Sequence, residues 1–322
     1  MRTALHLTAL LAGALALALV TAEAALRFYA SYMKQEPLFQ SDAQLGWRNV
    51  PNLVTSRINA AGEEWSIRTD QDGQRLLPPK PHARSRMLIL GDSLSFGEGI
   101  DIEDRFDVRM LPSLGDMRII NTGTIGYGTD QEYVAFLNWK HLLQPGDTIL
   151  IVLNKSDYFD VLRRRFVGRA TPYFEEVDGA LVLRPPPITL LERCSDWSLL
   201  ARAAAKIVER DTDSESLESG KSIRIIRFIL SQIRKEAPSG VRVVLAHLGT
   251  RDLLGPRFNL SSTTFCQFAD VCVDLDGVMA DPAHFLPDEH WSPSGHAAVA
   301  DAVLKALHGG AAEPGLRGSY QK

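Results

Sequence analysis

Ser93 has the residue type and the position that nucleophilic catalysis requires. It follows Gly91-Asp92 directly after the apolar run 87–90, whose length and bulk predict a buried parallel strand. Ligands of open α/β sheets bind in the crevice outside the carboxyl ends of the strands, so Ser93 is a candidate nucleophile. Such a serine needs a base, a group that orients the base, and donors for an oxyanion.

Asp288 and His290 supply the first two of these groups near the other end of the chain. They lie two residues apart, so on an extended segment both side chains fall on the same side. The Asp288 carboxylate would then hold the His290 imidazole in one tautomer, as a general base requires.

These motifs together resemble those of the SGNH/GDSL hydrolase family. The resemblance rests on Gly91-Asp92-Ser93-Leu94 and on the late Asp288-x-His290, with Gly295-His296 behind it. The Asp-x-His ending and the apolar amino terminus resemble the envelope-anchored bacterial branch, and related alginate O-acetyltransferase-like proteins share this spacing. The resemblance implies a flavodoxin-like α/β/α fold, a Ser93–His290–Asp288 triad, and no metal or organic cofactor.

Further donors for an oxyanion are predicted after two other strands. Besides the Ser93 N–H, the family register in the glycine-rich loop 122–128 points to Gly126. After the third strand the family has Gly-Asn-Asp, and this chain departs from that pattern. Ser156 occupies the asparagine position, while Asn154 lies two residues earlier and faces the same way on an extended segment. Both remain candidates for the third donor.

The elements that must position these residues alternate along the chain. The predicted strands are 87–90, 118–121, 147–153, 241–248 and 271–275. Helical patterns separate them, and one predicted helix begins with a capping box from Thr129 to Glu132. Right-handed crossovers would build a parallel five-stranded sheet with helices on both faces, which is a three-layer α/β architecture.

Residues 1–26 form an apolar segment that predicts export. Residues 5–26 are long enough to span a bilayer, and Arg2 on the short leading side favours an orientation with the rest of the chain outside the cytoplasm. Ala22-Glu23-Ala24 also fits a small-x-small cleavage site. We favour an uncleaved anchor in the inner membrane, with the chain facing the periplasm or exterior, over a secreted form.

The remaining boundaries follow composition. A loop-rich lead-in covers 27–83, where Trp47 is expected to cover a sheet edge, with a glycan cleft as the alternative. The hydrolase domain covers 84–308, with a hairpin insertion at about 171–187, an acidic linker at about 211–220, and a tail at 309–322. The arginines at 163–165 and 169 are expected on a solvated helix face, or else to recognise an anionic glycan or a phospholipid headgroup.

Bulk composition is that of an ordinary globular protein. The chain is 45% hydrophobic with a net charge of −4, which gives no reason to expect a nucleic-acid partner. Cys194, Cys266 and Cys272 are expected to be buried thiols, although the last two are close enough to pair. His247, inside the fourth strand, is expected to be a buried histidine with a hydrogen-bond partner.

The sequence therefore predicts a serine esterase or O-acyltransferase of the cell envelope. Its expected substrate is an O-acyl group, above all O-acetyl, on an exported carbohydrate, because the anchor places the site beside the envelope. A metal-dependent phosphoesterase using Asp92, Asp288, His290 and His296 is a second hypothesis. A glycan-binding protein with weakened catalysis is a third, because the Gly-Asn-Asp pattern is missing.

Overall fold

The computed structural model describes residues 2–33, 37–208, 220–249, 260–261 and 263–309. The predicted linker and tail fall almost entirely outside these residues. The described helices are α1 (Arg2–Tyr32), α2 (Ser93–Phe96), α3 (Phe106–Met110), α4 (Thr129–Trp139), α5 (Asp157–Asp160), α6 (Leu190–Cys194), α7 (Leu199–Val208), α8 (Lys221–Glu236) and α9 (Pro293–Gly309). The described strands are β1 (Phe39–Asp42), β2 (Gly46–Asn49), β3 (Val54–Ile58), β4 (Glu64–Arg68), β5 (Ser85–Leu90), β6 (Met117–Asn121), β7 (Thr148–Leu153), β8 (Arg165–Phe166), β9 (Arg169–Ala170), β10 (Tyr173–Val177), β11 (Ala180–Arg184), β12 (Arg242–His247) and β13 (Val271–Asp274).

The central sheet has five strands in the order β13-β12-β7-β5-β6, and all its pairings are parallel. This is the flavodoxin-like order. Within this sheet the chain begins at β5, adds β6 on one side of it, and then crosses back to add β7 on the other side, so the reversal lies between β5 and β7. A crevice forms at such a reversal, because the crossovers leave β5 and β7 in opposite directions. Ser93 follows β5 and Asn154 follows β7, so both lie at this point.

Alternation along the strands explains the layers on either side of the sheet. In β5, Leu88 and Leu90 face one core with α4 and α8, while Met87 and Ile89 face the other with α3 and α9. Strand β7 is buried at every position, as a strand covered by helices on both faces must be. The predicted α/β class and parallel five-stranded sheet are therefore confirmed.

The lead-in folds as two antiparallel hairpins, β1-β2 and β3-β4, packed beside the domain. Its small apolar cluster includes Trp65 and Ile67 and is completed by Phe96 of α2. Trp47 does not cover a sheet edge or line an open cleft. It is fully buried, stacks on Phe166 with ring centroids 5.5 Å apart, and donates from Nε1 to the carbonyl of Ile125 at 3.3 Å. The lead-in thus supports the loop that carries Gly126.

The predicted hairpin insertion forms β10 and β11, with Asp178 and Gly179 at positive φ in the turn, as the Asp-Gly pair requires. The arginines before it do not lie on a solvated helix face. Arg164 stacks over Tyr173 at 3.6 Å, and Arg169, only 7% exposed, pairs with Asp196 at 3.1 Å. The guanidinium groups of Arg164 and Arg169 therefore already contact other residues of the protein.

The expectation of three buried thiols is wrong. Cys266 and Cys272 form a disulfide that ties a short turn to β13, and Cys194 is exposed. Two cysteines six residues apart can meet across such a turn. The expectation of buried thiols considered only the apolar character of cysteine and not this turn. A structural disulfide is typical of an oxidising compartment.

Candidate active site

Asp92 shapes the turn between β5 and α2. Its Oδ1 accepts the backbone N–H of Leu94 at 2.9 Å, so Asp92 caps the helix that begins at Ser93. Gly91 precedes it because an added Cβ there would overlap the Ser95 hydroxyl. This turn holds the half-buried Ser93 at the carboxyl end of β5.

His290 lies on a tight turn and not on the extended segment that the sequence suggested. Leu286 donates its backbone N–H to the carbonyl of His290 at 2.7 Å, and Glu289 between Asp288 and His290 has φ +70°. This left-handed conformation is uncommon outside glycine and carries strain. The turn nevertheless directs the Asp288 and His290 side chains toward each other.

The structure brings the three predicted residues together. Nε2 of His290 lies 2.9 Å from Ser93 Oγ, and Nδ1 of His290 lies 3.2 Å from Asp288 Oδ2. The second contact is close enough for an ion pair, but the Nδ1–H is not aligned with the carboxylate, so it is not an aligned hydrogen bond. The three groups have the order and spacing of a serine nucleophile, its base and a carboxylate that supports the base.

Glu98 is a second carboxylate at the imidazole, and sequence reasoning gave it no role. Its Oε2 lies 3.1 Å from His290 Nε2, the atom that also faces Ser93. Burial alone would lower the pKa of His290, but the nearby carboxylates of Glu98 and then Asp288 outweigh it and raise that pKa from 6.5 to about 9. The resting site therefore favours an imidazolium, with Ser93 and Glu98 both facing Nε2.

Arg75 of the lead-in fixes the loop that carries Glu98. Its buried guanidinium donates to the carbonyls of Phe96, Gly97 and Ile100, the last at 2.7 Å. Gly97, at φ +75°, packs against this group and against Arg105. Glu98 is thus placed by a residue of the lead-in, about 20 positions earlier in the sequence, which no local pattern could have indicated.

Gly126 has the backbone geometry that only glycine adopts readily. Its φ is +79°, and an added Cβ would overlap the ring of Phe166. In the part of the chain that the structure describes, the backbone N–H groups of Ser93 and Gly126 have no hydrogen-bond acceptor. Both are therefore available to an oxyanion.

Asn154 and Ser156 both turn toward Asp92. Asn154 Nδ2 donates to Asp92 Oδ2 at 3.0 Å, and Ser156 Oγ donates to the same oxygen at 2.8 Å. Ser156 has one hydroxyl proton, and two acceptors face it, Asp92 Oδ2 and, at 3.0 Å, Asn154 Oδ1. An asparagine amide has two N–H groups, so Asn154 retains a second donor, and it is the stronger candidate for an oxyanion contact.

An ion pair joins the two turns beside the nucleophile. Lys155, between the two oxyanion candidates, pairs with Glu289, between Asp288 and His290. The contact links the end of β7 to the turn that carries the base. It also gives the strained Glu289 a partner.

Behind the nucleophile, acidic side chains are buried on α4 and α5. Glu132 is 1% exposed, and neither of its carboxylate oxygens has a hydrogen-bond partner among the described residues. Asp157 accepts from Thr129 Oγ1 at 3.0 Å. Burial, followed by the negative charge of Asp157, raises the pKa of Glu132 well above 4.5, so the folded protein favours the neutral form of this carboxyl. The capping box predicted from Thr129 to Glu132 begins one residue earlier, at Gly128. The side-chain oxygen of Gln131, and not that of Glu132, accepts the backbone N–H of Gly128, at 3.2 Å.

The residues of the metal hypothesis do not converge. His296 is buried against Phe106, whose backbone N–H it accepts at Nδ1 at 3.2 Å. Among the residues that the structure describes, no group of three or more His, Cys, Asp or Glu side chains is arranged to hold a metal ion. As expected, His247 is fully buried, and its Nε2 lies 3.0 Å from the Tyr158 hydroxyl.

Comparisons with known proteins find similarity only at the level of solved structures. No protein-family model and no curated protein matches the chain. The chain is similar to a lipolytic protein of the G-D-S-L family from Veillonella parvula, with 10% identity, a TM-score of 0.43, and coverage of 70% of this chain and 98% of the other. It is also similar to the esterase EstA from Pseudoalteromonas sp., with 12% identity, a TM-score of 0.40, and coverage of 70% and 97%. A lipase/acylhydrolase from Enterococcus faecalis gives 14% identity, a TM-score of 0.37, and coverage of 70% and 96%. These similarities are distant, so a function must be argued from the site itself.

Proposed function

We propose that the chain is a serine esterase of the SGNH/GDSL type that acts on O-acyl groups. One observation carries the proposal: the His290 imidazole lies between Ser93 and Asp288. Its Nε2 is 2.9 Å from Ser93 Oγ, and its Nδ1 is 3.2 Å from Asp288 Oδ2. A serine, a base and an orienting carboxylate in this arrangement are the parts of an acyl-transfer site.

In the proposed reaction, Ser93 Oγ attacks the ester carbonyl while His290 Nε2 takes its proton. Asp288 stabilises the resulting imidazolium, and the N–H groups of Ser93 and Gly126 stabilise the oxyanion, with Asn154 as third donor. His290 then returns the proton to the leaving alcohol. A water attacks the acyl-serine in the same way, with His290 again as base, and releases the acid. A sugar hydroxyl in place of water would make the same site an acyltransferase.

The substrate that we propose is an O-acyl group, above all O-acetyl, on a carbohydrate of the cell envelope. Two features support this location. The segment Thr3–Tyr32 is long and apolar enough to span a membrane, with a mean hydropathy of 2.0 over its most apolar window, although a signal sequence has the same properties. The Cys266–Cys272 disulfide is typical of an exported protein.

The direct test is labelling of the full chain in detergent with a fluorophosphonate, alongside hydrolysis of a short aryl acetate. We expect labelling and turnover in the wild type, and loss of both in Ser93→Ala and His290→Ala. Residual rates should be lower by a factor of about 10⁴ to 10⁶, as for other triads. A folded wild type that neither labels nor hydrolyses would favour the glycan-binding alternative.

The oxyanion assignment makes a separate prediction. Asn154→Ala should lower kcat/KM on aryl acetate by about 100- to 1,000-fold, since it removes an oxyanion donor. Ser156→Ala removes hydroxyl contacts to Asp92 and to the side-chain oxygen of Asn154 but no proposed oxyanion donor, so it should cost less than about tenfold. Equal losses in the two variants would show that both residues act by holding Asp92.

A further inference from the structure

A cavity of about 500 Å³ lies between the end of α1, helix α7 and the lead-in. Leu26 and Tyr29 of α1 line it on one side, and Leu199 of α7 lines it on another. Glu98, whose carboxylate touches His290, is also part of its wall. The cavity therefore extends from the apolar helix to Glu98, the carboxylate that contacts His290.

Specific contacts hold α1 against α7, so the walls of this cavity belong to the fold. Glu23 of α1 accepts the backbone N–H groups of Leu199 and Leu200, each at 3.0 Å, and the hydroxyl of Ser198 at 2.9 Å. These are the free N–H groups at the start of α7, and a carboxylate is the natural cap for them. Arg27 pairs with Glu23 at 2.7 Å and donates to the carbonyl of Trp197.

Exposed aromatic residues lie near the end of α1 and just before α7. Tyr29 and Tyr32 of α1 are 57% and 78% exposed, and Trp197 before α7 is 82% exposed. Aromatic side chains of this kind collect where hydrocarbon meets the polar headgroups. If α1 spans the bilayer, the cavity lies at the height of the lipid headgroups, beside the membrane.

Part of the lining of the cavity is positively charged. Arg57, Arg202 and Lys206 line it. Burial and then the positive charge of Arg169 lower the pKa of Arg202 from 12.5 to about 10, although Asp196 acts in the opposite direction. The Nε of Arg202 has no hydrogen-bond partner among the described residues. A bound anion would offset this excess of positive charge.

We propose that the cavity binds a negatively charged membrane lipid, with its headgroup against Arg202 and Lys206 and its hydrocarbon chains beside Leu26 and Tyr29. Apolar and basic walls meet at one opening, which is the chemistry of an anionic amphiphile. This inference rests on the proposed function and deepens it, because Glu98, which contacts His290, lines the cavity. The substrate is then a membrane-borne, anionic glycolipid whose sugar carries the acyl group.

Lipid binding can be tested without catalysis, in the full-length Ser93→Ala protein in detergent micelles. The probes are photoactivatable phosphatidylglycerol and photoactivatable phosphatidylcholine with identical chains, and crosslinked peptides are mapped by mass spectrometry. We expect phosphatidylglycerol to label the end of α1 and α7 several-fold more than phosphatidylcholine. Lys206→Gln should reduce this labelling about fivefold, the usual effect of one basic side chain at an anionic surface.

Matched variants decide between the possible results. Arg227→Gln removes an exposed cation on α8, away from the cavity, and should leave labelling unchanged. Arg202→Lys keeps the charge and should retain most of it, whereas Arg202→Gln should not. Equal labelling by the two lipids, or equal effects of Lys206→Gln and Arg227→Gln, would overturn the proposal. Full competition by free glycerol phosphate would also overturn it, in favour of a soluble anion. Since Ser93 is absent from this protein, a failed esterase assay and a failed lipid assay remain separate results.

Discussion

Glu98 changes what the imidazole can do at neutral pH. Its carboxylate lies 3.1 Å from Nε2 of His290, the nitrogen that takes the proton of Ser93 in the proposed reaction. With the pKa of His290 raised to about 9, most molecules of the free protein hold an imidazolium near pH 7. A substrate that displaces Glu98 from Nε2 would return the base to its neutral form.

The first prediction at the scale of residues concerns this pair. Removing the Glu98 charge destabilises the imidazolium, so Glu98→Gln should move the acid limb of the kcat/KM profile to lower pH, by about one unit. The wild-type rate on aryl acetate should rise with pH up to about pH 9, where His290 is half deprotonated. Glu103→Gln, the same change at an exposed position nearby, should leave the profile in place. An upward shift in Glu98→Gln would show that Glu98 does not stabilise the charged imidazole.

At the scale of elements, α4 carries a carboxyl, Glu132, whose neutral form is favoured by burial. Burial raises the pKa of Glu132 well above 4.5, so the folded state binds a proton that the unfolded chain releases as the pH rises. Stability from this group is therefore complete below about pH 4.5 and is lost as the pH rises toward its folded pKa.

Glu132→Gln removes this dependence, since the amide is neutral at every pH and has nearly the same shape. We expect equal thermal midpoints for Glu132→Gln and wild type near pH 4, and a higher midpoint for the variant near pH 8. Glu103→Gln provides the baseline for a surface charge change. A variant that is less stable than wild type at both pH values would mean that the carboxyl makes an essential contact.

Local pattern predicted these elements well and their contacts poorly. The buried run predicted at 147–153 and the helical spacing of Ile226, Leu230 and Ile233 depend on neighbours in sequence, so the sheet and its helices could be derived. The predicted pairing of Asp288 with His290 was right in distance but wrong in backbone, because a strained Glu289 makes a turn there. Glu98 and Arg75 meet the site through the tertiary fold alone, which one sequence cannot show.

At the scale of the whole molecule, the disulfide gives a prediction about stability without catalysis. Cys266 and Cys272 close a short loop at the β13 edge of the sheet, and the triad residues lie elsewhere. Replacing both by serine should lower the free energy of unfolding by about 2 kcal/mol while leaving aryl acetate hydrolysis unchanged. Urea unfolding of the variant and of the reduced wild type should agree. A loss of activity in folded variant protein would show that this loop supports the site.

The junction between Glu23 and the start of α7 would limit where the proposed esterase can work. A catalytic domain on a long flexible tether searches a volume set by the length of that tether. Here the last turns of the apolar helix are fastened to the domain. With α1 in a membrane, as we propose, this junction would fix the distance of Ser93 from the bilayer, and the search for substrate would become two-dimensional, along the membrane plane. Acylated glycolipid carried by the same membrane would be within reach, whereas acyl groups farther from the membrane would be kept.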